Sequence, residues 1–211
     1  MRRGERLVAN ALCGLVLAGM VTAAQAYEHR RDTPSVGIQI QYGVMEGGSD
    51  WGESFGWDGG IAVHLRNSMS RNSAIGLSFE QQRFACVKLL PEDIEEGGDT
   101  DFLKMQTLLA DYFFYFERPA RRCYYAVVSA GFYRPELVDE ERLHPDQPKT
   151  VNVRYPGENF LARLGAGSEY FLSRKFSVDA SASVYYLRAP KLDGLTASAQ
   201  FAIGVHLYAG R

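Results

Sequence analysis

Hydrophobic and polar residues alternate with a period of two through most of the chain. Between positions 35 and 44 the even positions hold Val36, Ile38, Ile40, Tyr42 and Val44, and the odd positions hold Ser, Gly or Gln. Alternation of this kind predicts a β-strand with one apolar face and one polar face. The pattern recurs in seven further segments, at 60–66, 75–82, 102–116, 124–132, 160–169, 177–186 and 200–207. We therefore predict eight strands and an all-β fold.

The connections between these strands alternate in length. The short ones lie at 67–72, 117–122 and 173–175, and the mostly longer ones lie at 45–58, 83–101, 134–157 and 188–194. An even number of strands, with short turns at one end and long loops at the other, is typical of an outer-membrane β-barrel. The strands of a soluble β-sandwich would also alternate apolar and polar residues. That fold, however, gives no reason for short connections to alternate with long ones.

Aromatic residues concentrate near both ends of the predicted strands. At the short-turn end they are residues 112–116, Tyr124, Tyr125, Tyr170, Phe171, Phe176 and Tyr208. At the long-loop end they are Tyr42, Trp57, Phe84, Phe102, Phe132, Tyr133, Phe160 and Tyr186. Two aromatic belts are expected where rings settle at the two membrane interfaces. We therefore predict an eight-stranded antiparallel transmembrane β-barrel with up-and-down meander topology, rather than a sandwich.

The first 26 residues have the features of a secretory signal peptide. Arg2, Arg3 and Arg6 precede an apolar run over 7–21, and Ala24-Gln25-Ala26 supplies the small residues of a cleavage site. The apolar run is shorter than the roughly 20 residues that a spanning helix needs. We predict that residues 1–26 are a signal peptide and that residues 27–211 form one outer-membrane β-barrel domain.

Composition narrows the classes of function. A formal net charge of −2 and a pI near 6.1 leave no basic field to attract nucleic acid. The three cysteines, Cys13, Cys86 and Cys123, form no CxxC pair, so they cannot supply a thiolate zinc site or a dense disulfide scaffold. We predict no metal and no cofactor. Because a spanning strand separates Cys86 from Cys123, we predict that no disulfide joins them.

Two segments carry a resemblance to a known family. They are MQTLLADYFFYFERPARRCYYAVVSAGFYRP at 105–135 and NFLARLGAGSEYFLSRKFSVDASASVYYL at 159–187. Their glycine, aromatic and alternating pattern resembles the small outer-membrane β-barrel domain family of Gram-negative bacteria, the OmpA/OmpX-type eight-stranded barrels. The resemblance covers most of the chain after the signal peptide. It implies the fold and a location in the cell outer membrane, and it implies no catalytic residue.

A set of polar and charged residues falls on the predicted inner face of the barrel. They are Gln39, Gln41, His64, Arg66, Glu80, Asp111, Arg163, Glu169, Asp179 and His206. An eight-stranded barrel is just wide enough for side chains to fill it, so opposite charges inside it should pair. We interpret these residues as a packed polar core, with a narrow pore or proton path as the alternative. On strand 177–186, Ser181 and Ser183 should then point inward, and Ala182 and Val184 should face lipid.

A hydrolase acting on lipid A is a further alternative, because some small outer-membrane barrels that resemble this chain are lipid A deacylases or acyltransferases. Such an enzyme needs a serine, a histidine and an acid at the membrane interface. Here His64 and His206 are predicted to point inward, His29 and His144 lie outside the strands, and no His-x-Ser pair falls on a strand. We therefore predict no catalytic site and no enzyme activity.

Charge differs between the two predicted ends. The second and third long loops are acidic through Glu92, Asp93, Glu95, Glu96, Asp99, Asp101, Glu136, Asp139, Glu140, Glu141 and Asp146. The short turns are basic through Arg71, Arg118, Arg121, Arg122, Arg174 and Lys175. Acidic oxygens suit Ca²⁺ or Mg²⁺, but residues 91–99 lack the spacing of a calcium loop. We interpret the acidic loops as a solvated surface and expect the basic turns to face the periplasm.

These features predict a structural or surface-interaction role, in adhesion or envelope integrity, without catalysis. The expected partners are outer-membrane lipid, lipopolysaccharide, and host or envelope proteins that contact the long loops. A narrow channel for small solutes is the alternative, and a lipid A acyl hydrolase a more distant one.

Overall fold

The computed structural model describes residues 33–47, 50–70, 72–88, 100–116, 121–141, 150–154, 159–188 and 196–209. The predicted signal peptide, the acidic positions 92–99, Asp146, and the basic positions Arg71 and Arg118 lie outside these ranges. No helix among the described residues is long and apolar enough to cross a membrane.

Nine strands and one short helix make up the described chain. The strands are β1 (Pro34–Gly47), β2 (Asp58–Ser68), β3 (Ser73–Ala85), β4 (Phe102–Tyr115), β5 (Arg122–Glu141), β6 (Thr150–Arg154), β7 (Asn159–Phe171), β8 (Phe176–Leu187) and β9 (Thr196–Tyr208). The helix, α1, spans Asp50–Ser54 between β1 and β2. Every pairing between strands is antiparallel.

Eight of these strands close into a barrel. Consecutive strands pair around the sheet, β5 pairs with both β4 and β7, and β1 pairs with β9. The β1–β9 register, from Ser35 opposite Tyr208 to Gly47 opposite Thr196, completes the ring. Closure lets the backbone groups of all eight strands pair, which a lipid environment requires. The predicted eight-stranded meander barrel is confirmed.

Two elements were not predicted, and both lie at the long-loop end. Helix α1 occupies part of the first long connection. Strand β5 continues to Glu141, and its last five residues pair with β6, from Leu137 opposite Arg154 to Glu141 opposite Thr150. The third connection, predicted as a loop, therefore contains a β-hairpin. Local alternation at 150–154 spans too few residues to stand out without its partner strand.

The alternating faces point as predicted. Apolar side chains on the outer wall are largely uncovered: Ile40 is 72% exposed and Ile203 is 67% exposed. On β8, Ala182 and Val184 face outward, whereas Ser181 and Ser183 turn toward the interior. An uncovered apolar band around a closed barrel is suited to contact with lipid rather than water.

The aromatic belts are only partly as predicted, because some of these rings lie on the outward face of their strand and others on the inward face. Tyr42, Trp57, Phe132, Tyr124 and Tyr170 are exposed on the outer wall. The rings that point inward instead are Phe84, Phe113, Tyr115, Tyr125, Tyr133, Phe171 and Tyr208. Assigning these seven residues to the membrane interfaces was wrong, since each lies on the inward parity of its strand.

Cys86 and Cys123 lie at opposite ends of the barrel, and no disulfide joins them. Cys86 follows β3 at the long-loop end, where its thiol donates to the carbonyl oxygen of Lys88 at 3.1 Å. Cys123 is buried near the start of β5 at the short-turn end. These positions agree with the predicted strand directions.

Candidate functional site: the barrel interior and its rims

All ten polar residues predicted to face inward are buried, with at most 5% of any of them exposed. They come from seven of the eight barrel strands, with β5 adding Ser129 and Tyr125. Because a buried charge is costly unless it is paired and hydrogen-bonded, the arrangement of their partners decides what the interior can do.

Arg163 on β7 is the centre of the first cluster. Its guanidinium contacts Glu80 on β3 at 2.5 Å and Asp111 on β4 at 2.6 Å. Its Nε atom donates to Ser129 on β5 at 3.0 Å. The hydroxyl of Tyr185 donates to the second oxygen of Glu80 at 2.8 Å. One guanidinium therefore joins two carboxylates from across the barrel, and both carboxylates have further donors.

His64 on β2 connects the first cluster to the opposite wall. Its Nδ1 atom lies 2.6 Å from Oγ of Ser78, and its Nε2 atom lies 2.8 Å from Oε1 of Gln39. Ser78 donates to Asp111, and the amide of Gln39 donates to Asp179. Asp179 accepts a second hydrogen bond, from the hydroxyl of Tyr125, at 2.6 Å. The resulting chain of contacts is Asp111, Ser78, His64, Gln39, Asp179 and Tyr125.

Arg66 on β2 is the centre of a second cluster, nearer the short-turn end. It contacts Glu169 at 3.1 Å and donates to the hydroxyl of Tyr115 at 2.7 Å. Its guanidinium carbon lies 4.0 Å from the centre of the Phe113 ring, a cation–π geometry. Glu169 also accepts hydrogen bonds from Ser177, at 2.5 Å, and from Tyr208. Four interior carboxylates, those of Glu80, Asp111, Glu169 and Asp179, thus have at least two donors each.

Apolar clusters cover this polar zone at both ends. Toward the long loops, the buried cluster includes Phe84, Leu103, Met105, Tyr133 and Leu187. Toward the short turns, it consists of Ala74, Phe113, Tyr115, Cys123, Tyr125, Val127, Phe171 and Tyr208. Within the described strands, the lumen therefore contains a charged middle layer between two apolar plugs.

A small cavity remains beside the first cluster, with room for about one water molecule. Its lining includes Gln41, Arg163, Ser183, Tyr185 and Gln200. The side-chain carbonyl oxygens of Gln41 and Gln200 are buried without a hydrogen-bond partner. Two such acceptors beside small polar residues suit a single buried water and give no room to a larger solute.

His206 on β9 is fully buried, and neither ring nitrogen has a hydrogen-bond partner. Its ring lies over Gly37 of β1, so that a Cβ atom at position 37 would collide with it. The centres of the His206 and His64 rings are 6.2 Å apart. Gly37 therefore makes room for the histidine, a role that the alternating pattern alone does not reveal.

The predictions missed the tyrosines that complete the interior. Tyr115, Tyr125, Tyr185 and Tyr208 all donate to or accept from the charged residues, whereas three of them had been assigned to a membrane interface. The available signal was the alternation along each strand, since each tyrosine lies an even number of residues from an inward residue of the same strand. Tyr115, for instance, lies four residues after Asp111 on β4.

The short-turn rim is basic in its described part. Arg121, Arg122, Arg174 and Lys175 lie there, with Arg122, Arg174 and Lys175 exposed. The long-loop rim has cations and carboxylates in contact: Lys104 lies 2.9 Å from Glu136, and Lys88 lies 2.9 Å from Glu53. No group of three or more His, Cys, Asp and Glu side chains in the described ranges could hold a metal ion.

No protein-family model matches the chain, and no curated protein sequence matches it. Several solved structures match its fold. OprG from Pseudomonas aeruginosa aligns with a TM-score of 0.54 at 10% identity, over 89% of this chain and 100% of that one. Ail, the attachment invasion locus protein of Yersinia pestis, gives 0.52 at 15% identity, over 85% and 99%. Neisserial surface protein A gives 0.52 at 12% identity, over 82% and 96%.

The closed ring of strands, the uncovered apolar wall and these matches agree. The chain has the fold of a small outer-membrane β-barrel, as the resemblance to the OmpA/OmpX-type barrels implied. Its fold is therefore an eight-stranded β-barrel with an outer wall suited to lipid.

Proposed function

We propose that this barrel acts without catalysis, as a surface-interaction protein of the cell envelope whose long loops contact its partners. The observation that carries the proposal is the filled interior. The described lumen is occupied by paired charges between two apolar plugs, so the surfaces available to a partner are the rims and the loops.

The filled interior favours this role over that of an ion channel. An ion passing along the axis would have to separate Arg163 from Glu80 and Asp111, and then Arg66 from Glu169. Removing one partner from a buried ion pair costs about 3–5 kcal/mol, because it leaves an uncompensated charge. The buried apolar clusters at the two ends of the lumen add a second barrier to an ion.

The geometry also supports a role without catalysis. Ser78 and His64 are in contact, but both are buried, and Ser78 donates to Asp111 rather than presenting its hydroxyl to a surface. A nucleophile needs access to its substrate. The described outer wall at the membrane interfaces offers aromatic rings and cations instead of a serine and histidine pair.

The charge of the loop end favours a cationic partner. The connections 45–58, 83–101, 134–157 and 188–194 contain sixteen Asp or Glu and eight Lys or Arg, a formal net charge of −8. Ail has also been solved in complex with the heparin analogue sucrose octasulfate. A polyanion of that kind would be repelled by the loop end of this chain. We therefore infer that its partner presents basic rather than sulfated groups.

Adhesion of displaying bacteria to cultured epithelial cells tests the proposal. Cells that display the full chain should adhere more than cells with an empty vector. A variant in which 90–98 and 142–148 are replaced by Gly-Ser linkers should lose that gain while keeping the heat-dependent gel mobility of a folded barrel. Added heparin should not compete. Unchanged adhesion in the loop variant, or steady single-channel openings of the full chain in planar bilayers, would contradict the proposal.

A further inference from the structure

Cations collect at the short-turn end of the barrel. The turns at 67–72, 117–122 and 173–175 contain six Arg or Lys and one Glu. Strands β5 and β7 are neighbours, so Arg121 and Arg122 at the start of β5 lie beside the end of β7 and the turn that follows it. The amide of Phe171 donates to the carbonyl oxygen of Arg121 at 2.7 Å, which joins the two strand ends directly. Arg121, Arg122, Arg174 and Lys175 thus lie on one sector of the rim.

This sector of the rim adjoins the lipid-facing wall of the barrel and not its lumen. Arg122 has the outward parity of Tyr124, and the guanidinium carbon of Arg122 lies 4.9 Å from the centre of the Tyr124 ring. Across the β5–β7 ladder, Arg122 is paired with Tyr170. Tyr124 is 46% exposed and Tyr170 is 38% exposed. Outward tyrosines mark the depth of the lipid headgroups, and the cations lie at or just beyond that depth.

Among the residues that the structure describes on β7 and β8, the two carboxylates closest to this sector point into the barrel. Glu169 and Asp179 lie on the strands β7 and β8 that bound the turn, and both are fully buried. Glu169 contacts Arg66, and Asp179 accepts hydrogen bonds from Gln39 and Tyr125 inside the barrel. These two carboxylates therefore point into the barrel, whereas Arg122, Arg174 and Lys175 are exposed on the rim.

We propose that Arg121, Arg122, Arg174 and Lys175 bind the phosphate of an anionic phospholipid in the leaflet at the short-turn side of the membrane. Guanidinium groups match phosphate oxygens with parallel hydrogen bonds, and basic residues beside a membrane attract anionic headgroups. The acyl chains of such a lipid lie along the apolar wall above Tyr124 and Tyr170. This inference goes beyond the role of the long loops and does not depend on it.

The association of spin-labelled phosphatidylglycerol with the refolded barrel tests the site. Vesicles of phosphatidylcholine contain a trace of labelled phosphatidylglycerol or labelled phosphatidylcholine, and the motionally restricted fraction reports the preference. The unaltered chain should prefer phosphatidylglycerol, by up to roughly fivefold for each contributing cation. Added salt should reduce the preference, because it screens the charges.

Two matched variants locate the preference. R122Q/R174Q/K175Q removes three cations from the short-turn rim and should bring the ratio close to one. R83Q/R134Q/R188Q removes three exposed cations from the long-loop end, an equal change in charge, and should leave most of the preference. Both variants must keep the heat-dependent gel mobility of the unaltered barrel.

Three outcomes would overturn the proposal. The first is an unaltered chain that shows no preference for phosphatidylglycerol. The second is an equal loss in both variants, which would reflect net charge alone. The third is complete competition by millimolar inorganic phosphate, which would identify the sector as a site for free phosphate. None of these outcomes bears on the adhesion assay, so the two proposals fail separately.

Discussion

The interior and the long-loop rim of this barrel both contain close ion pairs, but the pairs differ in their surroundings. Inside, Arg163 and Glu80 lie 2.5 Å apart with 5% and 2% of their side chains exposed. On the rim, Lys88 and Glu53, the outer pair, lie 2.9 Å apart with 65% and 61% exposed. Water screens the outer pair and solvates either partner alone, whereas the inner charges have only each other. Contact distance therefore says little about stability until burial is known.

The largest effect is expected from breaking the inner pair. Arg163→Met leaves Glu80 and Asp111 buried without their cation, and it should lower the free energy of unfolding by about 3–5 kcal/mol. Urea unfolding in lipid vesicles measures the change. The triple variant R163M/E80L/D111L removes the charges together and should recover most of the loss. A triple variant no more stable than Arg163→Met would show that packing, not charge, sets the cost.

The next effect comes from placing a charge on the outer wall. Ala182 faces outward on β8, so Ala182→Arg should cost about 2–4 kcal/mol at the bilayer midplane. Ala182→Leu is the matched control and should be nearly neutral. If both substitutions cost the same in vesicle unfolding, the site does not face lipid.

The matching substitution on the inner face of β8 is at Ser183. On the alternating pattern alone, an arginine at Ser183 would be expected to reach Asp179 or Glu169, because all three positions point inward. Both carboxylates already have donors, and Arg163 lines the cavity that Ser183 borders. Ser183→Asn is the better probe, since its uncharged amide would face the polar cavity beside Arg163. It should cost less than Ala182→Arg in the same unfolding assay, and a larger cost would contradict the inward direction of Ser183.

A smaller effect is expected where the backbone makes room for a ring. Gly37→Val would drive its side chain into His206, and overpacking of this kind costs about 1–3 kcal/mol. His206→Ala removes the obstacle, so the double variant G37V/H206A should be more stable than Gly37→Val alone. Additive losses in the unfolding free energy would show that the two residues do not meet.

The smallest effect is expected at the outer pair. Lys88→Gln should change the free energy of unfolding by less than about 1 kcal/mol, because both partners remain solvated. The same unfolding assay with Glu53→Gln provides the comparison. A loss as large as that of Arg163→Met would mean that this surface is covered in the membrane.

The sequence alone determined the eight barrel strands, their closure into a barrel, and which face of each strand is apolar. Period two is a local property, and a one-residue slip would put every apolar residue of a strand into the lumen. Ile40 and Gln39 are therefore assigned to opposite faces without any knowledge of their neighbours. The same rule, applied more strictly, would have placed Tyr115 and Tyr125 inside.

Only the tertiary structure decided which inward residues meet. Arg163 reaches Glu80 from 83 positions away, and Tyr185 reaches the same carboxylate from 105. Such partners are set by the stagger of strands around the closed barrel and by side-chain length across its lumen, which no local pattern encodes. The fit of His206 over Gly37 depends in the same way on β1 and β9, which closure of the barrel brings together.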